Sequence, residues 1–285
     1  GASGRRGTRV RPARVGGLRE GRVGANGISI RYLESGPRDA PEAILFLHGG
    51  TGSGRRHWTG QLADFGRRGY RCLAPDHRGH AGTTNDRIGL DQELMALDAA
   101  GFLGALGIGR AHVVGFSVGG VVGIYLAIAR PDLVGSLVTI GSHMAVDEHV
   151  RASNASVLPE RILRDDPAWA RSLAILHSAE QVADAWDGGV PRETDYWQRL
   201  CREIHDTWEV QPAWTEDDLR AIRCPALIGR GELDDRAVEE QIDRMAAAID
   251  AAQTFVVPGA GHSFHTAEPG RGHLDRLLRD FLAAI

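Results

Sequence analysis

The sequence predicts an α/β domain in which a mostly parallel sheet is flanked by helices on both faces and carries a helical insertion. Short apolar runs of strand length alternate with helix-like segments near both ends of the chain. Several of these runs are continuous rather than alternating, as expected of strands that are buried on both faces. No convincing strand occurs over residues 142–219, so we interpret that stretch as a helical insertion between two strands.

The predicted strands begin with a hairpin over residues 21–35, in which Ala25-Asn26-Gly27 forms the turn. Six short apolar segments are predicted to form further strands: 43–47, 71–74, 111–114, 137–140, 226–228 and 254–257. Apolar residues at helical spacing predict helices over 90–106, 118–129 and 274–284.

The composition is that of an ordinary globular protein, with 42% hydrophobic and 25% charged residues among 285. A net charge of −4 argues against a polyanion-binding surface. No apolar run reaches the length of a membrane-spanning helix, and no signal peptide is apparent near the start. Because the cysteines are few and far apart, they suggest neither a disulfide framework nor a zinc site. We therefore expect a cytoplasmic protein without nucleic-acid or membrane partners; monomer and homodimer both remain open.

Residues 1–20 are predicted to form a flexible, arginine-rich arm. Its arginines lie among glycine, alanine and proline, at positions 5, 6, 9, 11, 14 and 19. Such a stretch could bind nucleic acid or acidic lipid. Since no aromatic residue lies between the arginines, as single-strand binding would require, we favour a poorly ordered terminus.

The segment Gly115-Phe116-Ser117-Val118-Gly119 matches the pattern G-x-S-x-G. A predicted strand precedes it and a helix rich in small residues follows it, which is the context of a nucleophile on a sharp strand-to-helix turn. The serine of such a turn has a strained backbone, and the glycines leave room for the neighbouring elements. The alternative is a tight turn with an exposed serine. The context favours Ser117 as a nucleophile.

A serine hydroxyl needs a general base to remove its proton and an acid to orient that base. On a strand–turn–helix scaffold of this kind these groups follow in the order serine, acid, histidine. His262 lies in a glycine-rich loop directly after the predicted strand 254–257, and we predict that it is the base. His265 and His273 are the alternatives.

The acid is expected after the predicted strand 226–228, where Gly231-Glu232-Leu233-Asp234-Asp235 offers three carboxylates. We predict Asp234, because a loop at the end of the strand would turn this side chain inward. Glu232 and Asp235 are the alternatives, either solvated or capping the helix that begins near Arg236.

An oxyanion hole completes the predicted site. The N–H of Val118, directly after the nucleophile, supplies one donor. The second is expected in the loop His48-Gly49-Gly50-Thr51-Gly52, which follows the strand 43–47. We predict Gly50, with Thr51 as the alternative, and interpret His48 as a structural residue.

These motifs resemble the α/β-hydrolase superfamily over nearly the whole chain. The matching segments are His48-Gly49-Gly50, the loop 76–82, the turn at Ser117, residues 225–234 and Gly261-His262. The loop departs from the family pattern at Ala81-Gly82-Thr83, which we expect to be neutral. The resemblance implies an eight-stranded, mostly parallel sheet and a Ser117-Asp234-His262 triad. It also implies a helical cap at 142–219 over a core of 21–141 and 220–285.

The substrate is expected to contact the cap and the turn. We predict contacts from Phe116, His177, His205, Trp208 and Trp214, and note that the cap aromatics, with Trp186 and Trp197, could equally pack its helices. We therefore expect a small, partly apolar substrate.

The predicted reaction is hydrolysis of an ester, lactone or thioester through an acyl-enzyme on Ser117. A C–C bond hydrolase, a lyase or cyclase, and a non-catalytic receptor on the same scaffold are the alternatives. Serine at the turn argues against epoxide or haloalkane hydrolysis, for which the family uses aspartate. No metal or cofactor is expected. The histidines that could bind a metal fall on separate loops, and residues 50–54 lack the ending of a phosphate-binding loop.

Overall fold

The computed structural model describes residues 14–15, 17–183 and 189–285. Nine strands within these residues form one sheet in the order β1-β2-β3-β5-β4-β6-β7-β8-β9. Their bounds are β1 Arg14–Val15, β2 Leu18–Ala25, β3 Ile28–Ser35, β4 Ala43–Leu47, β5 Arg71–Pro75, β6 Ala111–Phe116, β7 Val134–Ile140, β8 Ala226–Gly231 and β9 Ala252–Val257.

The sheet is antiparallel at one edge and parallel elsewhere. Strands β1, β2 and β3 pair antiparallel, and β3 pairs antiparallel with β5. All later pairs, from β5–β4 to β8–β9, are parallel. The predicted fold class, an α/β-hydrolase fold with a mostly parallel sheet, is confirmed, with the two-residue β1 added to the eight strands expected.

The first strands correct the predicted extent of the N-terminal arm. Residues 14–15 and 18–20, which we assigned to a flexible arm, lie in β1 and β2. Arg19 is fixed there because its guanidinium donates to Glu34 at 3.3 Å and to the carbonyl of Gly36 at 2.6 Å. Residues 1–13 and 16 of the predicted arm lie outside the described residues.

The predicted hairpin turn is present between β2 and β3. Asn26 has a φ of 51° and Gly27 a φ of 80°. Two consecutive left-handed residues give the tight turn that matches the twist of the strands, and asparagine and glycine adopt this conformation most readily.

Ten α-helices occur in the described part of the chain: α1 Gly54–Arg67, α2 Gln92–Ala105, α3 Val118–Ala129, α4 Glu148–Asn154, α5 Pro159–Asp165, α6 Pro167–Leu176, α7 Tyr196–Trp208, α8 Glu216–Leu219, α9 Glu239–Ala248 and α10 Gly270–Ala283. Helices α1 and α10 pack on one face of the sheet, and α2, α3 and α9 pack on the other. None of the helices in the described residues is long and apolar enough to cross a membrane.

Helices α4 to α8 lie between β7 and β8 and form the insertion. Several of its residues pack into a separate apolar cluster that includes Ile162, Leu173, Trp197 and Leu200. The insertion therefore has a small core of its own beside the two cores on the faces of the sheet.

Candidate active site

Ser117 lies at the junction of β6 and α3 in a strained backbone conformation, with φ 52° and ψ −119°. Its N–H donates to the carbonyl of Ile140 at 2.8 Å, and its carbonyl accepts from the Ser142 hydroxyl at 2.8 Å. These bonds hold an unfavourable conformation that costs on the order of 1–3 kcal/mol in a non-glycine residue.

The glycines on either side of Ser117 leave no room for a side chain. A β-carbon on Gly115 would overlap the backbone of Gly119, and one on Gly119 would overlap the carbonyl oxygen of Leu47. The turn therefore requires glycine two residues before and two residues after the serine, because backbone atoms cannot move away cheaply.

Asp234 and His262 form a hydrogen-bonded pair. The Nδ1 atom of His262 lies 2.9 Å from each carboxylate oxygen of Asp234, whose side chain is fully buried. Asp234 Oδ1 also accepts from the N–H groups of Arg236 at 2.9 Å and Ala237 at 3.2 Å. Burial raises the pKa of Asp234, but the hydrogen bond and charge of His262 and the two N–H groups together bring it below its ordinary value.

This pair has a defined chemical consequence. An ionised Asp234 accepts the Nδ1 proton of His262, which leaves Nε2 of the neutral imidazole as the proton acceptor. The arrangement is that of a general base oriented by a buried carboxylate.

The alternative acids have other partners. Glu232 accepts the N–H of Gly259 at 2.7 Å, and the side chain of Asp235 is exposed. The alternative bases lie elsewhere. His265 is fully buried against Phe116, its ring centroid 4.1 Å from that of Phe116, and His273 lies on α10.

Ser117 and His262 line the same cavity of about 600 Å³. Gly50, Phe116 and Trp208, all predicted here, line it too. A second, smaller cavity of about 20 Å³ adjoins Ser117, Val118 and His262. Its volume is about that of a single water molecule. The predicted residues Ser117, His262, Gly50, Val118, Phe116 and Trp208 are thus brought to one place.

Histidines hold the loop that contains Gly50. His48 is fully buried, and its Nδ1–H donates to the carbonyl of Gly49 at 2.8 Å, because its Nε2 accepts the N–H of His77 at 2.9 Å. His80 Nε2 contacts the carbonyl of Gly50. Burial keeps the pKa of His48 well below its usual range, so the ring stays neutral and can donate and accept at once. The structural interpretation of His48 agrees with these bonds.

Trp208 limits what residue 50 can be. A β-carbon on Gly50 would overlap the indole of Trp208. Glycine at this position therefore lets a helix of the insertion pack closely on the loop that carries the predicted second oxyanion donor.

Three residues that were predicted to contact the substrate lie away from both cavities, because each side chain has another partner. His177 is buried, and its Nδ1 accepts the N–H of Ala81 at 2.9 Å. His205 lies beside Asp206 at 3.2 Å on α7. Trp214 packs against Tyr125 with 4.4 Å between ring centroids. The predicted contacts at 177, 205 and 214 are therefore corrected to packing and loop-holding positions; Trp186 lies outside the described residues.

Other residues of the cavity wall escaped the sequence analysis. They come from the start of α1, from α6 and from the loop after β8: Arg56, His57, Asp166, Trp169, Ser172 and Arg236. Arg236 had a sequence signal, because it follows the predicted acid by two residues. The contacts from α6 had none, since they depend on how the insertion folds back on the core.

Within the described ranges, no group of three or more histidine, cysteine, aspartate or glutamate side chains is arranged to hold a metal ion. The buried histidines around the loop 48–52 are instead engaged with backbone groups.

A family model for the alpha/beta hydrolase family matches residues 44–272, which is most of the chain. The chain belongs to the alpha/beta hydrolase family. The match spans the strained Ser117, the Asp234–His262 pair and the insertion of this alpha/beta hydrolase.

Two proteins named as hydrolases are similar to this chain along nearly their full length. The putative carbamate hydrolase RutD of Pseudomonas savastanoi pv. phaseolicola is 29% identical over 86% of this alpha/beta hydrolase and 95% of that protein. The bifunctional esterase/perhydrolase DCH of Acinetobacter calcoaceticus is 27% identical, over 91% of this chain and 97% of that protein. The chain is accordingly an enzyme of the family.

Among solved structures, the enol-lactonase of Burkholderia xenovorans LB400 has a TM-score of 0.69 to this alpha/beta hydrolase. The superposition covers 92% of this chain and all of the lactonase, at 20% sequence identity. At that level of identity the likeness establishes the shared fold.

Proposed function

We propose that this enzyme is a serine hydrolase that cleaves an ester, lactone or thioester bond of a small, partly apolar molecule through an acyl-enzyme on Ser117. One observation carries the proposal. His262, hydrogen-bonded to the buried Asp234, lines the same cavity as Ser117, which is held on a strained strand-to-helix turn. The names of the relatives, a carbamate hydrolase and an esterase/perhydrolase, support hydrolysis at a carbonyl carbon.

In the first half of the reaction, Ser117 Oγ attacks the carbonyl carbon while His262 Nε2 takes its proton. Asp234 orients the imidazole and stabilises its positive charge. The N–H groups of Gly50 and Val118 bind the oxyanion, and loss of one such donor typically costs about 3–4 kcal/mol of transition-state stabilisation. The leaving group departs with the proton from His262, and the acyl group remains on Ser117.

In the second half, His262 removes a proton from water, which attacks the acyl carbon. The resulting tetrahedral species collapses and releases the carboxylic acid, and Ser117 recovers its proton from His262. The water-sized cavity beside Ser117, Val118 and His262 supports this step, because it provides space for the attacking water next to the base.

The position of the insertion beside the cavity supports a role for it in substrate selection. We propose that it is the cap of a core formed by residues 21–141 and 220–285. Its residues Asp166, Trp169 and Trp208 form part of the cavity wall.

The cysteines at 72, 201 and 224 are free and buried, which supports a reducing compartment such as the cytoplasm.

The test is a panel of 4-nitrophenyl esters, lactones and acyl thioesters, assayed with wild type, Ser117→Ala and Asp234→Asn. We expect Ser117→Ala and Asp234→Asn each to lower kcat by about 10³-fold or more. Ser178→Ala serves as the matched control, because the Ser178 side chain makes no capping bond and does not line the cavities.

Two further readouts separate the alternatives. A fluorophosphonate probe should label Ser117 stoichiometrically, and rapid quenching should trap an acyl-enzyme of the expected mass. A receptor would not be labelled at Ser117, and a lyase or cyclase would turn over without a trapped acyl group. Full activity in Ser117→Ala would refute the proposal.

A further inference from the structure

Arg236 is a half-buried charged side chain in the wall of the cavity, and its guanidinium has no partner among the described residues. It lines both the 600 Å³ cavity and the small cavity beside Ser117 and His262. In the described part of the chain its guanidinium has no hydrogen-bond or ion-pair partner, although its backbone N–H donates to Asp234. The side chain is half-buried, so solvent does not fully take the place of a partner.

This combination distinguishes Arg236 from the other arginines whose side chains are described. Buried and half-buried guanidinium groups elsewhere have partners; Arg78, for example, binds Asp98 through two bonds of 2.6 and 2.7 Å. The other described arginines without a side-chain partner are all exposed to solvent: Arg110, Arg161, Arg171 and Arg276.

The remaining charged groups in the cavity wall do not compensate Arg236. Asp166 accepts the N–H of Trp169 at 2.9 Å and caps α6. Arg56 is exposed and donates to the hydroxyl of Ser172 at 3.0 Å. The wall thus carries two guanidinium groups and one carboxylate, which gives it a net positive charge.

Removing a guanidinium group from water is costly unless an anion replaces the lost solvation. A carboxylate does so best, because its two oxygens match the parallel N–H groups of arginine. We propose that the substrate carries a carboxylate in addition to the bond that is cleaved, and that Arg236 binds it. This inference rests on the proposed function and names the class of substrate: a carboxylate-bearing ester, lactone or thioester.

The rest of the wall suits the remainder of such a molecule. Phe116, Trp169 and Trp208 offer aromatic surface next to the nucleophile. A substrate with an apolar portion and one carboxylate would bury the first against these rings and pair the second with Arg236.

Two matched pairs of esters test the inference. On the leaving-group side, 4-acetoxybenzoate is compared with neutral 4-acetoxybenzamide. On the acyl side, 4-nitrophenyl hydrogen adipate is compared with its neutral methyl ester. We expect wild type to prefer the anion in at least one pair. In that pair Arg236→Gln should lower kcat/KM for the anion by about tenfold or more and change the neutral ester by less than about threefold.

Two further variants complete the set. Arg236→Lys should retain part of the preference, because it keeps the charge but not the paired N–H groups. Arg171→Gln, which removes an exposed arginine of α6, should leave both rates unchanged. An equal loss on anion and neutral ester in Arg236→Gln would overturn the inference, as would the absence of an anion preference in both pairs.

The outcomes also separate this inference from the proposed function. Titration of Ser117→Ala with the preferred anion, by calorimetry, measures binding without turnover, and the Arg236→Gln substitution should weaken that binding by about tenfold. Ser117-dependent hydrolysis of the neutral esters without any anion preference would leave the hydrolase standing and remove the role of Arg236. Arg236-dependent binding without hydrolysis would do the reverse.

Discussion

Gly141 packs directly against Asp234: a β-carbon built on Gly141 would lie 2.8 Å from Oδ2 of the Asp234 carboxylate. The same β-carbon would lie 3.1 Å from Nδ1 of His262. Gly141 follows β7 with a φ of 62°, a conformation that other residues rarely adopt. The end of β7 therefore limits where the side chains of Asp234 and His262 can lie.

We predict that Gly141→Ala lowers kcat by about tenfold or more, because the methyl group displaces the Asp234–His262 pair by a few tenths of an ångström. The left-handed backbone should add a loss of about 1–2 kcal/mol in the free energy of unfolding. Steady-state kinetics and urea unfolding measure the two effects. Gly135→Ala in β7 is the control, since its nearest contacts would be ordinary ones at 3.4 Å. Unchanged kcat in Gly141→Ala would show that the pair tolerates displacement.

A second prediction concerns the strain at Ser117. Glycine adopts φ 52° and ψ −119° more easily than alanine does. We expect both Ser117→Gly and Ser117→Ala to be inactive, with the glycine variant more stable by about 1 kcal/mol in urea unfolding. At Ser178, whose φ is −65° and ψ 164°, the order should reverse. If alanine were more stable than glycine at both positions, the strain at Ser117 would not be released by glycine.

Most of the fold could be predicted because its signals are local. The strand Ala43–Leu47 and the helix Val118–Ala129 were predicted with the bounds that the structure has. Both end at residues that stop regular structure, the glycines after His48 and the proline at 131. Helix α1 was missed although Ser53 caps it and its buried residues Trp58, Leu62 and Phe65 have helical spacing.

The cavity wall could be predicted only in part. Residues that follow strand ends, such as Asp234 and His262, converge because the carboxyl ends of parallel strands meet at one edge of the sheet. Contacts from the insertion depend on how its helices pack, and no local pattern reports that. His177 is an example: the sequence analysis predicts that it contacts the substrate, whereas its ring accepts the backbone N–H of Ala81.

Asp275 on α10 should make stability depend on pH. Its side chain is mostly buried and accepts from Gln61 Nε2 at 3.1 Å. Burial, with a smaller contribution from Asp64, raises its pKa to about 6, against the opposing effects of Gln61, Arg271 and Arg279. A pKa above the unfolded value means that Asp275 favours folding fully below pH of about 4, and that this contribution is lost as the pH rises through about 6.

We therefore predict that Asp275→Asn matches wild type at pH 4 and is more stable at pH 8, by on the order of 1 kcal/mol after solvent screening. An asparagine amide can also donate to Gln61 Oε1, a buried acceptor with no partner in the described residues. Urea unfolding across this pH range measures the difference. Asp280→Asn, exposed on the same helix, should show no such divergence, and a parallel profile for Asp275→Asn would contradict the prediction.

The last prediction concerns Trp208, the aromatic side chain that lines both the large and the small cavity. Its indole closes over Gly50, so its removal should join the two spaces and lengthen the acyl group that fits beside Ser117. We expect Trp208→Ala to raise the ratio of kcat/KM for 4-nitrophenyl octanoate over acetate by about tenfold, with Trp208→Phe intermediate. Trp214→Ala is the matched control, because Trp214 is also half-buried but packs on Tyr125 outside both cavities. A similar change of ratio in both alanine variants would mean that chain-length preference follows the stability of the insertion rather than the shape of the cavity.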